Sequence, residues 1–258
     1  MNHPPPTLQN IPILLTSSVI AHDPGVALKN TEVRVRYALE SVREWLRICP
    51  ELPLVLCDGS GFDFTGLMAQ HFPQAKVECL YFMNDQAMVL QRGRGWGEGE
   101  IVRHAIENSW SIRHAGAFAK CTSKLWVSNY LELMEIWNGS LLLKGVFLDV
   151  FSAFQKPVFD YIDTRFYVVS VATYTQLFID AHLSIDQHQG RGLEQCFFEI
   201  VQKQQLQGIL TTRPPVIEGV GGGIGRAYQN PLKRRLKERL RSWLVRRNPA
   251  FNALFIDD

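Results

Sequence analysis

Apolar and polar positions follow two periods along the first third of the chain. Residues 11–19 (IPILLTSSV) form an apolar run that ends in small hydroxyls, the pattern of a buried strand. Residues 31–48 change to the helical period, with Val35, Leu39, Val42, Trp45 and Leu46 on one face. A second apolar run at 52–57 breaks at Asp58-Gly59-Ser60-Gly61, a helix is predicted over 64–71, and a third strand over 75–82. Strand, helix, strand, helix, strand implies a parallel sheet with right-handed crossovers. Next comes a turn with Gly93, Gly95, Gly97 and Gly99 interleaved with Arg92, Arg94 and Trp96. The pattern after it predicts a helix over 98–109, a fourth strand over 117–127 and a long helix over 128–137. Strands at 141–147 and 165–170 and helices at 171–184 and 192–205 complete the order. The glycines of 219–225 predict a loop. From Pro231 onward, Leu232, Leu236, Leu240, Trp243 and Leu244 share one face of a helix over 231–247. The expected fold is α/β, a Rossmann-type, mostly parallel sheet flanked by helices, with a basic amphipathic helix at its C-terminal end. Residues 1–228 would form the nucleotide-binding domain and 229–258 a tail.

Composition narrows the class. With 258 residues, 46% hydrophobic and 20% charged, the chain can build a full core, and bulk disorder is excluded. Five cysteines, odd in number and without a CxxC, suit buried reduced thiols rather than a disulfide scaffold or zinc cluster. The first ten residues, MNHPPPTLQN, lack a basic n-region, so no signal peptide is expected. No stretch reaches the ~18 uninterrupted apolar residues of a membrane span. Of 27 basic and 25 acidic residues, eight and one fall between 232 and 247, leaving 19 against 24 elsewhere. A mildly acidic globule thus carries a basic helix of the kind that lies on anionic membrane surfaces. The competing arrangement is a helix packed on the domain with its basic face in solvent. Nucleic acid is not an expected partner, since no helix-turn-helix or aromatic-basic sheet motif occurs.

Ligands of such sheets sit at the carboxyl ends of the strands. Thr16 and Ser17 end the first strand, and Asp58, Gly59 and Ser60 follow the second, although Asp-Gly-Ser-Gly also makes an ordinary turn. Arg92, Gly95, Gly97, Lys120, Thr122 and Lys124 supply close backbone approach and cations suited to phosphate, or else a basic surface hairpin.

The ordered series Asp58-Gly59-Ser60, Gly93-Arg94-Gly95-Trp96-Gly97-Glu98-Gly99-Glu100, Lys120-Cys121-Thr122-Ser123-Lys124, Asp163-Thr164-Arg165-Phe166-Tyr167 and Leu193-Glu194-Gln195-Cys196-Phe197-Phe198 resembles bacterial glycosyltransferases of surface-polysaccharide assembly. The resemblance implies a GT-A-like fold, a nucleotide-sugar donor as substrate, and a lipid-linked or oligosaccharide acceptor. It also implies a place on the cytoplasmic membrane face, beside other polysaccharide-assembly enzymes. Most such enzymes carry a metal-binding Asp-x-Asp after the fourth strand; none occurs here, and Lys120 to Lys124 occupy that place. Two lysines there could neutralise a diphosphate directly, so no cofactor and no resident metal are expected, though a divalent ion is compatible. On this reading alanine at either lysine costs activity far more than folding. Glu194 is placed as the general base and Asp163 as its runner-up; a first-turn glutamate also stabilises its own helix. Glu98 and Glu100 could hold donor-sugar hydroxyls or cap their helix. Arg165 could meet phosphate, acceptor or Asp163. The 219–225 loop could close over the diphosphate or hinge the tail. The alternatives are a non-catalytic nucleotide-binding or scaffold protein of such an assembly, and a nucleotidyltransferase, which would need paired carboxylates for Mg²⁺.

Overall fold

The computed structural model describes residues 11–23, 25–222 and 225–256. Residues 1–10, on which the leader expectation rests, and Gly223 within the glycine loop lie outside them. The strands are β1 (Ile13–Ser17), β2 (Leu54–Asp58), β3 (Val77–Tyr81), β4 (Ala117–Thr122), β5 (Leu125–Val127), β6 (Leu141–Leu142), β7 (Gly145–Leu148), β8 (Val158–Ile162), β9 (Phe166–Ser170) and β10 (Ile217–Gly219). The helices are α1 (Thr31–Ile48), α2 (Thr65–His71), α3 (Gln86–Arg92), α4 (Arg94–Asn108), α5 (Trp110–Ala115), α6 (Tyr130–Met134), α7 (Val171–Leu177), α8 (Leu193–Lys203) and α9 (Leu232–Arg246).

The central sheet runs β3-β2-β1-β4-β9-β6. Its first four strands are parallel, while β9 joins β4 antiparallel and β6 joins β9 antiparallel. Strands covered on both faces read as continuous apolar runs, which is why β1, β2 and β4 were legible; β3 is a half-buried edge strand. Leu14, Val55 and Phe118 face a core shared with α4 and α8; Ile13, Leu15, Leu54, Leu56 and Ala119 face one shared with α1. Helix α1 starts at an Asn30 cap whose side chain accepts the Val33 N–H at 2.9 Å. Its buried Ser41 and Trp45 side chains both donate to the Leu125 carbonyl, at 2.7 and 3.2 Å.

Several expected elements are corrected. The predicted strand 117–127 is two strands broken at Ser123-Lys124, β5 pairing instead with β10. The helix 128–137 shrinks to Tyr130–Met134. The span 171–184 is α7 followed by a separate 3₁₀ turn at Ala181–Ser184. The strand 141–147 divides into β6 and β7, and β7 pairs with β8, which the periodicity did not indicate. The predicted loop at 219–225 begins inside β10, at Gly219.

The largest correction concerns the glycine-rich turn, most of which is helix. Only Gly93, at φ 81°, has a turn conformation; α4 begins at the next residue. The other glycines are there for space. A Cβ on Gly99 would come within 2.3 Å of the buried His182 side chain, and one on Gly95 within 3.2 Å of Ile185 and Leu193. This close approach of α4 to the 181–193 segment outweighs the helix-propensity cost of glycine, about 1 kcal/mol each.

Residues 229–258 dock at their far end: Val245, Phe255 and Ile256 are buried in the two cores. Leu210 donates to the Leu254 carbonyl at 2.8 Å, and Ile256 to that of Leu210 at 3.0 Å. Helix α9 therefore turns Glu238, Ser242 and Val245 towards the domain and leaves Leu232, Leu236, Leu240 and Trp243 exposed. Its apolar face points outward.

Candidate active site

The chain crosses from β1 through β2 to β3 on one side, then returns to place β4 on the other side of β1. The switch point between β1 and β4 is where a parallel sheet opens a crevice at its carboxyl edge. A cleft of about 860 Å³ opens there, bounded by the β1 end, the start of α4, the 161–165 segment, the start of α8 and the glycine loop. Of the predicted site residues, Thr16, Ser17, Gly59, Arg92, Gly95, Gly97, Glu98, Thr122, Lys124, Asp163, Arg165 and Glu194 line it.

Lys124 is its electrostatic centre. The break between β4 and β5 is held by Ser123 N–H donating to the Thr16 carbonyl at 3.0 Å and by Val220 N–H donating to the Lys124 carbonyl at 3.0 Å. The side chain is only 4% exposed. Among the described residues its amine has no hydrogen-bond or ion-pair partner. Burial, reinforced by the nearby Arg34 charge and opposed by Asp58 and Glu98, lowers its pKa to about 7. Thr16 Oγ1 and Ser17 Oγ are likewise buried without a partner. Both hydroxyls end β1, where successive side chains point to opposite faces of the sheet, and buried polar groups left unpaired cost free energy. An oxyanion seated in the cleft would give the Lys124 amine a partner.

Lys120 is different, and the expectation that both lysines meet the diphosphate is corrected. It is fully buried and outside the cleft lining. Its Nζ donates to Glu98 Oε1 at 2.5 Å and to the Thr164 carbonyl at 2.8 Å. Its charge is already matched. Asp58 and Ser60 are also interior: the Asp58 carboxylate accepts from Val19 N at 2.9 Å, Ser60 N at 2.7 Å and Ser60 Oγ at 2.6 Å. They tie the loops after β1 and β2 together, and Gly59 alone of that triplet reaches the cleft. A Cβ on Gly59 would lie 2.4 Å from the Asn84 amide.

Asp163 accepts from Arg165 Nε at 2.8 Å and Nη2 at 2.5 Å, and Lys144 Nζ lies 3.7 Å away. Burial alone would raise its pKa, but the Arg165 hydrogen bonds and the two cations outweigh that and lower it. A carboxylate so held is a weaker proton acceptor than a free one. Glu194, in the first turn of α8, accepts among the described residues only from Thr164 Oγ1 at 3.2 Å and faces the cleft. Glu100 points elsewhere, to Arg103 at 3.1 Å and His182 at 2.5 Å. Arg34, Asn84, Thr164 and Tyr228 line the cleft without having been singled out. Arg34 is buried and donates to the Ser18 and Leu28 carbonyls, and Tyr228 lies against the Arg165 guanidinium at 4.9 Å. Nothing in the local sequence marks these residues, because each is recruited by contacts distant along the chain.

Among the described residues no three His, Cys, Asp or Glu side chains are grouped to hold a metal ion. At the β4 end the donors are Thr122 and Lys124, a set that does not suit a divalent cation. No helix among the described residues is long and apolar enough to cross a membrane.

Comparison with family models and with curated proteins returns no match. Among solved structures, similarity extends to a protein described as a nucleotide-diphospho-sugar transferase from Desulfovibrio desulfuricans G20, at 11% identity and TM-score 0.46, covering 78% of this chain and 79% of that one. A 4-diphosphocytidyl-2C-methyl-D-erythritol synthase matches at 15% identity and TM-score 0.42, covering 91% and 99%. HddC from Yersinia pseudotuberculosis matches at 16% and 0.34, covering 62% and 76%. Likeness of this degree carries no weight on activity, and the functional reading rests on the cleft itself.

Proposed function

We propose that this chain is a glycosyltransferase that moves a sugar from a nucleotide-sugar donor to a lipid-linked or oligosaccharide acceptor of bacterial surface-polysaccharide synthesis, without a resident metal. The observation that carries the reading is Lys124, a largely buried cation without a partner among the described residues, lining the cleft at the switch point of a parallel sheet. A donor diphosphate supplies the counter-charge that Lys124 lacks. In the reaction the acceptor hydroxyl oxygen bonds to the anomeric carbon while the bond from that carbon to the phosphate oxygen breaks. The nucleoside diphosphate leaves with the electron pair, and Lys124 meets the charge that develops on it. Glu194 takes the hydroxyl proton if the reaction inverts configuration.

The outward apolar face of α9, on a helix rich in cations although Arg241 and Arg239 are ion-paired within the protein, supports attachment to the anionic inner face of the cytoplasmic membrane, each unpaired cation near the surface contributing roughly 1 kcal/mol. Calorimetric titration of UDP-, GDP-, CMP- and dTDP-sugars, with and without EDTA, tests the donor. Binding of one sugar nucleotide that survives EDTA is expected. Failure of all four sinks the transferase, binding lost with EDTA removes only its metal independence, and binding without transfer in Glu194-intact protein favours the scaffold.

A further inference from the structure

The antiparallel β7–β8 hairpin carries a group of outward apolar residues, Leu148, Phe151, Phe154 and Val158, with the Phe154 side chain 99% exposed at the tip. Clusters of exposed aromatic surface mark interaction sites. This one is continuous with α9: the Phe151 ring lies 5.4 Å from Lys237 Nζ and 5.5 Å from Arg241 Cζ. The hairpin base is fixed to the same body. Phe147 and Phe159 stack at 4.8 Å, Phe147 meets Phe251 beyond α9 at 5.1 Å, and Phe159 meets Phe198 of α8 at 4.9 Å.

We propose that the hairpin tip is a second membrane contact, entering an anionic lipid surface beside α9; this rests on the membrane reading of α9 above. Charge selects the occupant. The cores of protein interfaces are depleted of charged residues, whereas here Lys237 and Arg241 border the Phe151 ring and Lys156 lies beside the tip. Arg241 is shared with Glu238 and the hairpin also carries Asp149 and Asp160, yet hairpin and α9 together are net positive, which complements lipid phosphates. Two contacts on one rigid body fix its orientation, as a single helix cannot. The strand β8 also leads from the tip to Tyr161 and Asp163 at the cleft. An acceptor anchored in the bilayer would therefore reach the cleft along β8.

The test is flotation of the full-length protein with phosphatidylcholine vesicles, with and without phosphatidylglycerol, for the wild type, Phe154→Asp and Leu240→Asp. Both substituted positions are exposed, so circular dichroism should be unchanged. The expected result is binding that requires phosphatidylglycerol and falls about tenfold in Phe154→Asp, equivalent to about 1.4 kcal/mol. Wild-type binding that Leu240→Asp weakens and Phe154→Asp does not would overturn the hairpin contact and leave the α9 reading intact. Absence of wild-type binding would overturn both. A concentration-dependent dimer broken by Phe154→Asp, without vesicle binding, would instead assign the patch to a second copy of the chain and overturn the proposal.

Discussion

Replacement of Lys124 by methionine should make the protein more stable and less able to bind its donor. Among the described residues the amine has no hydrogen-bond partner, and its pKa falls from the 10.5 of a free lysine to about 7. Because the folded-state value is depressed, the unfolded chain holds more protons between these two pH values, and wild-type stability rises with pH through that window. At pH 7 the penalty is on the order of 4 kcal/mol, and by pH 9 about half of that. Methionine has a similar length and no charge to desolvate, so Lys124→Met should gain roughly that amount at neutral pH. For a chain of this size the melting temperature would rise by about 8 °C. The gain should shrink as pH rises from 7 to 10. Affinity for a nucleoside diphosphate should move the other way, since a hydrogen bond to a charged group contributes about 1.5–3 kcal/mol, or roughly tenfold to more than a hundredfold. In the wild type, affinity should be flat below pH 7 and fall about tenfold by pH 8 as the free amine loses its proton. Thermal denaturation across pH, paired with calorimetric titration of UDP and GDP, measures both. A less stable Lys124→Met that still binds would refute the reading of an unpaired cation awaiting an anion.

Lys120→Met should behave oppositely, losing about 3 kcal/mol because Glu98 is left without its partner; denaturant unfolding should show recovery in the Lys120→Met/Glu98→Gln double variant. That reverses the expectation from sequence, in which both lysines served activity more than folding. Glu194→Gln should lower kcat by about 10²–10⁴ with donor affinity unchanged if Glu194 is the base, whereas unchanged turnover in a steady-state assay would indicate chemistry that needs no side-chain base. Gly99→Ala, which intrinsic helix propensity would favour, should instead destabilise by about 1–3 kcal/mol because its methyl collides with His182, a shift readable in the urea midpoint.

The parts of the fold that were legible are those whose cause is local. Strands β1, β2 and β4 are buried on both faces and announce themselves as apolar runs, β3 is a half-buried edge strand, and their order with α1 and α2 places the switch point. What failed depended on partners far along the chain. Gly95 and Gly99 look like turn residues because the side chains they accommodate, Ile185, Leu193 and His182, are more than eighty residues away. Lys120 and Lys124 look alike four residues apart, yet the break at Ser123-Lys124 separates them and Glu98 claims only the first. Helix α9 is the sharpest instance. Its period established that Leu232, Leu236, Leu240 and Trp243 share a face, but periodicity cannot say whether that face turns in or out. The decision is made at the other end, where Val245, Phe255 and Ile256 bury themselves in the domain and fix the helix with its leucines outward. Deletion from Pro231 onward would remove those core residues as well, so loss of membrane binding in such a truncation would report unfolding as readily as a lost anchor. Single substitutions on the outward face separate the two.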